Sequence, residues 1–427
     1  MDTHKLPHTG GLHYGWVILL VSTLTVLGAL GFARFGYTLI LPDMQAALDL
    51  SNTQTGALAT ANFVGYLTLA VVGGFLASRY RPRRVVSFSM LLVGVMMVLT
   101  GLVNSFQGAL VWRLLTGVGS GGSNVPAMAL LAAWFAIRRR GLATGIAVAG
   151  SSVGLMITGP LVPRILETFG DDGWRYSWFI LGGSVLLIGL LVFALLRDQP
   201  AEKGLRPIAA ELSGETQAGE PPGSLRKDTS SLDWGKVYRS GAVWHLALVY
   251  VAFGFSYIIY ITFFAKYLQT EGGYSKEAAG NLWAIVGWIS IFCGLIWGTV
   301  SDLIGRKYGL ALVYLIQAVS FAVFALWQDS TGYTVSAVLF GLTAWSIPGI
   351  VAATCGDYLG SRMAPAALGF ATLFFGLGQA AGPSVAGAIA DAAGSFGLAF
   401  LMAAGVALLG AAGSLLLRPP RAAVEVS

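Results

Sequence analysis

The chain has 427 residues, of which 56% are hydrophobic and only 11% charged, and its mean hydropathy is +0.72; an ordinary soluble domain carries about 25% charged residues. A soluble fold does not fit those figures, whereas twelve apolar spans of roughly 20 residues fit the length with room for short loops and one linker. The net charge of +6 falls in short basic runs between apolar segments, which sets topology and argues against a nucleic-acid surface. Cys293 and Cys355 are the only cysteines and both lie in apolar stretches, so no disulfide framework, thiolate metal site or cofactor is expected. The 57 glycines suit closely packed membrane helices, where small residues let backbones approach.

In chain order, the long apolar runs predict an all-α membrane protein with helices over 14–41, 55–77, 85–103, 107–134, 142–166 and 175–196. After a break they continue over 242–268, 278–300, 308–327, 332–356, 365–389 and 396–417. The first span is too long for a signal-peptide core and is expected to remain as a helix. Most lysines and arginines cluster in the N-terminus (Lys5), the even-numbered loops and the C-terminal tail: Arg79, Arg81, Arg83 and Arg84, Arg138 to Arg140, Arg306 and Lys307, Arg362, and Arg418 and Arg421. That bias predicts a multi-pass protein of the cell (inner) membrane with both termini in the cytoplasm. Residues 197–240 are rich in Glu, Pro, Gly and Ser and read as a solvated cytoplasmic linker, ending in a short interfacial helix at Leu232 to Tyr238. The expected organisation is therefore a bundle over 1–196, the linker over 197–240, and a second bundle over 241–427.

An internal repeat supports that division. The segment from Gly74 to Arg83 aligns with Gly298 to Lys307 at an offset of 224, and Gly159-Pro160 aligns with Gly382-Pro383 at 223. Parallel six-span repeats are the internal symmetry of one large class of transporters, with the substrate site between the halves near the midplane.

On these residues the sequence resembles the major facilitator superfamily along essentially its whole length. The family's loop motif is complete at Gly298, Asp302, Gly305, Arg306 and Lys307, while the first copy departs from it, with Ser78 in place of Asp and Arg81 in place of Gly. Arg113-x-x-x-Gly117-x-Gly119 and the stretch from Gly150 to Pro160 look like its motifs in the fourth and fifth helices. Within the superfamily, Arg140 to Gly145, Ala149 to Gly154 and Gly173-Trp-Arg175 are similar to the monocarboxylate and oxalate–formate branch. A bacterial group with Gly31-Phe-Ala-Arg34-Phe-Gly-Tyr37 is equally similar. The resemblance implies that Asp302, Gly305, Arg306 and Lys307, with Arg79 in the first half, act in gating, and that the first, fourth, seventh and tenth helices line a central cavity. That branch commonly has another arginine in the eighth helix, and this sequence has none there.

Arg34 is the most informative residue, because an arginine inside a membrane helix costs about 2.5–3.5 kcal/mol unless it faces the bundle interior or water. At helical spacing Gly31, Tyr37, Thr38 and Leu41 share its face; the competing reading is that it snorkels to the outer surface. Arg113 shares a stripe with Gly117, Ser120, Gly121 and Asn124, which is either a wetted wall or a structural feature. The seventh helix aligns Tyr250, Phe253, Tyr257, Tyr260 and Phe264, whose hydroxyls want partners that a cavity supplies more readily than lipid. Trp283 and Trp288 in the eighth helix, Trp345 in the tenth and Gln379 in the eleventh complete a candidate weakly polar wall. Gly117-Val-Gly119-Ser-Gly121-Gly122 matches a dinucleotide fingerprint, but it sits inside an apolar helix rather than between a strand and a helix, so helix packing is the better reading.

Asp43, Asp302, Asp357 and Asp391 all fall at helix ends, leaving no acid at the middle of a span for a proton relay or a cationic drug. His4, His8 and His13 precede the first helix and His245 begins the seventh, so no catalytic triad or paired acid is in view, and no ATP loop. The expectation is a non-enzymatic secondary transporter, monomeric, moving a small organic anion such as a monocarboxylate by alternating access, with a proton or counter-anion as partner. Two alternatives stand beside it: efflux of hydrophobic drugs, and exchange of dicarboxylates or other anions. A receptor would need a signalling domain that the linker is too short to hold.

Overall fold

A computed structural model describes residues 13–209 and 234–418, without the side chains of 71–78, 137, 138, 234, 361 and 362. His4, His8, Lys5, Arg421 and most of the linker lie outside the described residues, as do the side chains of Ser78, Arg138 and Arg362. The described residues form twelve long helices. The first six are α1 (Tyr14–Ala47), α2 (Asn52–Tyr80), α3 (Pro82–Gly101), α4 (Phe106–Trp134), α5 (Ile137–Phe169) and α6 (Gly173–Leu195). A short helix at Trp234–Arg239 leads into α7 (Gly241–Thr270), α8 (Lys276–Ile304), α9 (Arg306–Leu326), α10 (Ser330–Gly360), α11 (Met363–Ala393) and α12 (Gly397–Leu415). Nine runs of the described residues are apolar enough over 18 residues to read as spans on composition, with α5 and α6 forming one continuous run. α4, 29 residues long and about 43 Å of helix, trades hydropathy for interior polar groups such as Ser120 and Ser123. Serine or aspartate caps fix several starts: Ser51 in a capping box with Gln54, then Ser105, Ser240, Ser275 and Asp329.

Within the first six helices α2 packs on α4 and α3 on α4 and α6; within the last six α7 packs on α11 and α12, and α9 on α10 and α12. The two groups meet along α2 with α11, α5 with α8, and α1 with α7. The first two seams are backbone against backbone. A Cβ built on Gly56 would lie 2.2 Å from the Pro383 carbonyl oxygen, and one on Gly280 2.2 Å from that of Gly159. Residues 56 and 280, and 159 and 383, are each separated by 224 positions, the offset of the sequence repeat. Glycine is therefore required twice by one pseudo-symmetric contact.

Polar contacts reinforce these seams at one end of the molecule. The Asp391 carboxylate accepts from the Asn52 and Thr53 amides (2.9 and 2.8 Å) and from the Thr53 hydroxyl (2.6 Å), capping α2 from the opposite half. Lys276 of α8 pairs with Asp43 of α1. At the other end, which carries Arg79 to Arg84, Arg139, Arg140 and Arg306, an added Cβ at Gly145, Gly294, Gly298, Gly349 or Gly369 meets nothing within 4 Å. The glycine seams and polar contacts between the halves thus lie at the Asp43 end, while open space lies beside these glycines at the basic end.

Three local features depart from the sequence reading. Residues Leu27–Phe35 of α1 form a π-helix, with the Gly36 amide bonding the Gly31 carbonyl at 3.0 Å, so positions around Arg34 do not follow the 3.6-residue spacing assumed for its stripe. The start of the linker is docked rather than solvated. Ile208 bonds the backbone at Trp134 and Ala136 (2.9 and 3.0 Å), the His13 ring bonds the Arg206 carbonyl (3.1 Å), and the Lys203 ammonium sits over the Tyr14 ring (4.9 Å). Finally, Arg81 adopts φ 69°, ψ 131°, close to the φ 95°, ψ 145° of Gly305, its counterpart in the repeat. The tight turn is kept although the glycine is not, which costs a side-chain-bearing residue of order 1–3 kcal/mol.

Arg81→Gly is expected to raise the thermal midpoint of the purified protein, since it removes that strain while the side chain is exposed; an unchanged or lower midpoint would argue against it. Gly56→Val and Gly280→Val should each leave folding intact and open the Asp43 end, because the clash lies between halves. Labels on α2 and α11 at that end, followed by electron-spin distance measurements, should report a longer distance in both variants.

Candidate functional site

The site starts from the π turn of α1. Arg34 is buried, at 8% exposure, with its guanidinium carbon 4.5 Å from the Phe63 ring centroid and 4.4 Å from that of Tyr66, both on α2. Aromatic faces offset part of the cost of taking this charge out of water. Its Nε and Nη2 atoms are buried without a protein acceptor. Tyr66 in turn accepts from the Asn124 amide of α4 at 2.9 Å. The approach of α4 to α2 that permits this is set by glycine, since an added Cβ on Gly117 would lie 1.9 Å from the Asn62 carbonyl oxygen and one on Gly121 2.3 Å from that of Tyr66.

Arg113 of α4 is deeper still, at 1% exposure. Its Nη1 donates to the Ala33 carbonyl inside the π segment at 2.7 Å, and its guanidinium lies between the rings of Tyr37 (4.7 Å) and Trp178 (5.2 Å). The Ser120 hydroxyl of α4 donates to the Ala29 carbonyl at 2.9 Å. Two side chains of α4 therefore engage carbonyls of the widened turn, an arrangement in which the ladder is opened by inserted donors. Arg34 and Arg113 both line one small cavity with Tyr37, Thr38, Phe63 and Thr262. Tyr37 itself donates to the Thr55 carbonyl at 2.9 Å.

The opposite wall comes from the second half. Tyr257 of α7 accepts from the Gln379 amide of α11, and its ring stacks on Phe253 at 4.5 Å and on Phe375 at 5.9 Å, with Tyr250 continuing the stack. Trp345 of α10 lies edge-on to Tyr257 at 6.3 Å and packs against Phe35 of α1 at 5.2 Å. Its indole N–H donates to the Ser152 hydroxyl of α5 (3.0 Å), which also accepts from Ser290 of α8 (2.8 Å). Arg34, Tyr66, Asn124, Tyr257, Gln379 and Trp345 thus converge from both halves. Tyr66, Phe63, Ser152 and Ser290 were not singled out from sequence. Their only signal is a hydroxyl or ring on an otherwise apolar face.

Three members of the expected wall belong elsewhere. Tyr260 is turned into the second half, bonded to Ser336 at 2.8 Å and enclosed by Phe321, Phe324, Phe340 and Phe400. Trp283 joins that cluster through Phe264 at 5.3 Å, and Trp288 points outward at 61% exposure. Arg34 does not snorkel. At the basic end, Arg306 pairs with Asp302, bonds Asp357 at 3.1 Å and Ser301 at 2.8 Å, and lines a recess of about 350 Å³ with Gly305 and Lys307. Lys307 sits over Tyr308 (4.7 Å) and Arg79 over Tyr80 (5.7 Å).

A family model described as Major Facilitator Superfamily matches residues 23–364 and 265–427, so the chain belongs to that superfamily. It is 26% identical to the probable sulfoacetate transporter SauU of Cupriavidus necator, covering 90% of each chain. It is 25% identical to the hexuronate transporter of Bacillus subtilis, covering 88% of each, and 24% identical to human monocarboxylate transporter 2, covering 91% of this chain and 82% of that one. In fold it is similar to the crystal structure of a bacterial homolog of the human lysosomal transporter Spinster in an inward-facing, unoccupied conformation. The TM-score is 0.76 at 19% identity, over 96% of this chain and 98% of that one.

Ser152→Ala removes the acceptor of the half-buried Trp345 indole only where the halves meet. A lost hydrogen bond of this kind costs about 0.5–1.5 kcal/mol, so the variant should shift the conformational equilibrium away from the state closed at the Asp43 end by about two- to tenfold. Spin-label distances across α5 and α8 check this, and an unchanged distribution would show the contact to be inert.

Proposed function

We propose that this superfamily member is a secondary transporter that carries a small organic anion, most simply a monocarboxylate, across the cell membrane by alternating access, with both termini cytoplasmic. The observation that carries the reading is the Arg34 guanidinium, buried between the halves with two N–H-bearing nitrogens that no protein group accepts. A carboxylate matches that fork with two parallel charge-assisted bonds, which neither a sugar nor a cationic drug provides. Tyr257, Gln379, Trp345, Tyr66 and Asn124 then form the remainder of the wall, and Arg113 holds the turn that presents Arg34. The names of the similar proteins, for sulfoacetate, hexuronate and monocarboxylates, are in keeping with anionic cargo. The seams that close one end and the opening at the basic end support alternation about this point, with the Asp302, Arg306 and Asp357 cluster acting on the basic side.

The coupling mode follows from the same groups. The site offers arginines and tyrosines, none of which exchanges protons usefully near neutral pH. We therefore favour anion exchange, or entry of a weak acid carrying its own proton, over a proton site on the protein.

Arg34→Gln should leave the protein folded and abolish binding of every transported anion, while Arg34→Lys, which keeps the charge and loses the fork, should retain part of it. Counterflow of labelled lactate, pyruvate and formate in proteoliposomes at equal pH on both sides tests carriage and coupling together. Robust counterflow in the wild type is expected. Undiminished transport by Arg34→Gln, or uptake of a labelled phenylalkyl-ammonium in place of anions, would overturn the reading.

A further inference from the structure

The wall around Arg34 constrains the body of a cargo as well as its charge. Its polar side chains have largely satisfied one another: the Asn124 amide donates to Tyr66, the Gln379 amide to Tyr257, and the Trp345 indole to Ser152. On this wall, among the described residues, the N–H groups buried without an acceptor are those of Arg34 Nε and Nη2. Once a carboxylate has taken that fork, no buried donor is left over for the rest of the molecule. The hydroxyls of a sugar acid, each of which needs a donor as well as an acceptor, would give up water for incomplete pairing.

What the wall offers in place of donors is ring surface with a set orientation. Tyr250, Phe253, Tyr257 and Phe375 are nearly parallel, with interplanar angles of 3–13° and neighbouring centroids 4.5–6.1 Å apart. The first three are buried, whereas Phe375, Trp345 and Tyr66 are half-buried and keep free surface. Phe375 belongs to the parallel stack, Trp345 stands at 81° to Tyr257, and Tyr66 lies against the Arg34 guanidinium. Parallel offset and edge-to-face are the two arrangements that aromatic rings favour, and here both are available to one more flat ring. An aliphatic chain gains from burial alone and takes nothing from the orientation.

We propose that the preferred cargo is an aryl monocarboxylate, bound with its carboxylate on the Arg34 fork and its ring among Tyr66, Trp345 and Phe375. The inference rests on the carboxylate reading of Arg34 and narrows it from small organic anions to planar aromatic ones. Acids without a ring, and hydroxylated acids of the sugar type, share the fork but not the stack and bind more weakly.

The test is calorimetric titration of the purified full-length protein at neutral pH with four acids: phenylacetate, cyclohexylacetate, lactate and glucuronate. Phenylacetate should bind about two- to tenfold tighter than cyclohexylacetate, which has the same carbon skeleton without a flat ring. It should exceed lactate and glucuronate by about tenfold or more, since neither brings apolar surface to bury. Phe375→Leu, which keeps an apolar side chain and removes the ring, should lower the ratio of phenylacetate to cyclohexylacetate affinity several-fold. Cyclohexylacetate, lactate or glucuronate binding as tightly as phenylacetate would make the rings internal packing of α7 on α11; that result overturns the aryl preference and leaves the carboxylate reading in place. Wild-type protein that binds none of the four, or Arg34→Gln that binds them undiminished, overturns the carboxylate reading and this inference with it. The wild-type ranking decides the matter whether or not either variant folds.

Discussion

A guanidinium taken out of water loses several kcal/mol of hydration, and this fold buries two of them in one half without an acid beside either. Much of the local structure of that half answers that cost. Phe63 and Tyr66 face Arg34, Tyr37 and Trp178 face Arg113, and the Ala33 carbonyl is opened to Arg113 by widening α1 into a π-helix. Glycines on α4 then matter for electrostatics as much as for packing. Only a backbone-to-backbone approach at Gly117 and Gly121 brings α2 and its rings near enough to do this.

The same economy appears where the halves meet. Their contacts at the closed end are glycine seams, a carboxylate on a helix N-terminus and an ion pair. Each of these can be exchanged for water when the end opens: the Lys276–Asp43 pair is half-buried rather than enclosed, and the seam glycines expose little apolar side chain. A large interlocked hydrophobic interface would hold one state too firmly. Repeating the seam at 224 residues means one backbone geometry serves both sides of the cleft, so the halves can rock as units rather than repack.

The fold was legible because membrane helices advertise themselves: each span needs its own apolar run, and the repeat marks the halves. The candidate site was legible as interior polar positions, where charge makes burial costly, at Arg34 and Arg113, and where polar groups sit on apolar helices, at Asn124, Trp345 and Gln379. It was illegible where neighbours decide the outcome. The stripe on α7 is a single face, yet Tyr257 meets Phe375 and Gln379 while Tyr260, less than one turn further, meets α9, α10 and α12. Helical periodicity gives the direction of a side chain and not which helix waits there at that depth. Nor does a propensity pattern foresee a π turn, because the donors that open it come from α4, about 80 residues away. The linker's first residues read as polar and solvated, but Ile208 among them finds the backbone edge at Trp134 and Ala136.

Charge accounting joins these observations to the transport cycle. Any carrier that alternates passes through a state in which both ends are shut and its central groups are dry. With the cleft open at the basic end, water can screen Arg34; in the closed intermediate that screening is lost, and the cost of two uncompensated cations is greatest there. On the proposed reading, an organic anion on the Arg34 fork removes part of that cost. On this view the anions act on the barrier as well as on affinity: they bind most strongly to the conformation that the cycle most needs to stabilise, which is the only way a ligand can speed a population change. On that proposed reading the anion-loaded carrier crosses more readily than the empty one, the asymmetry that anion exchange requires.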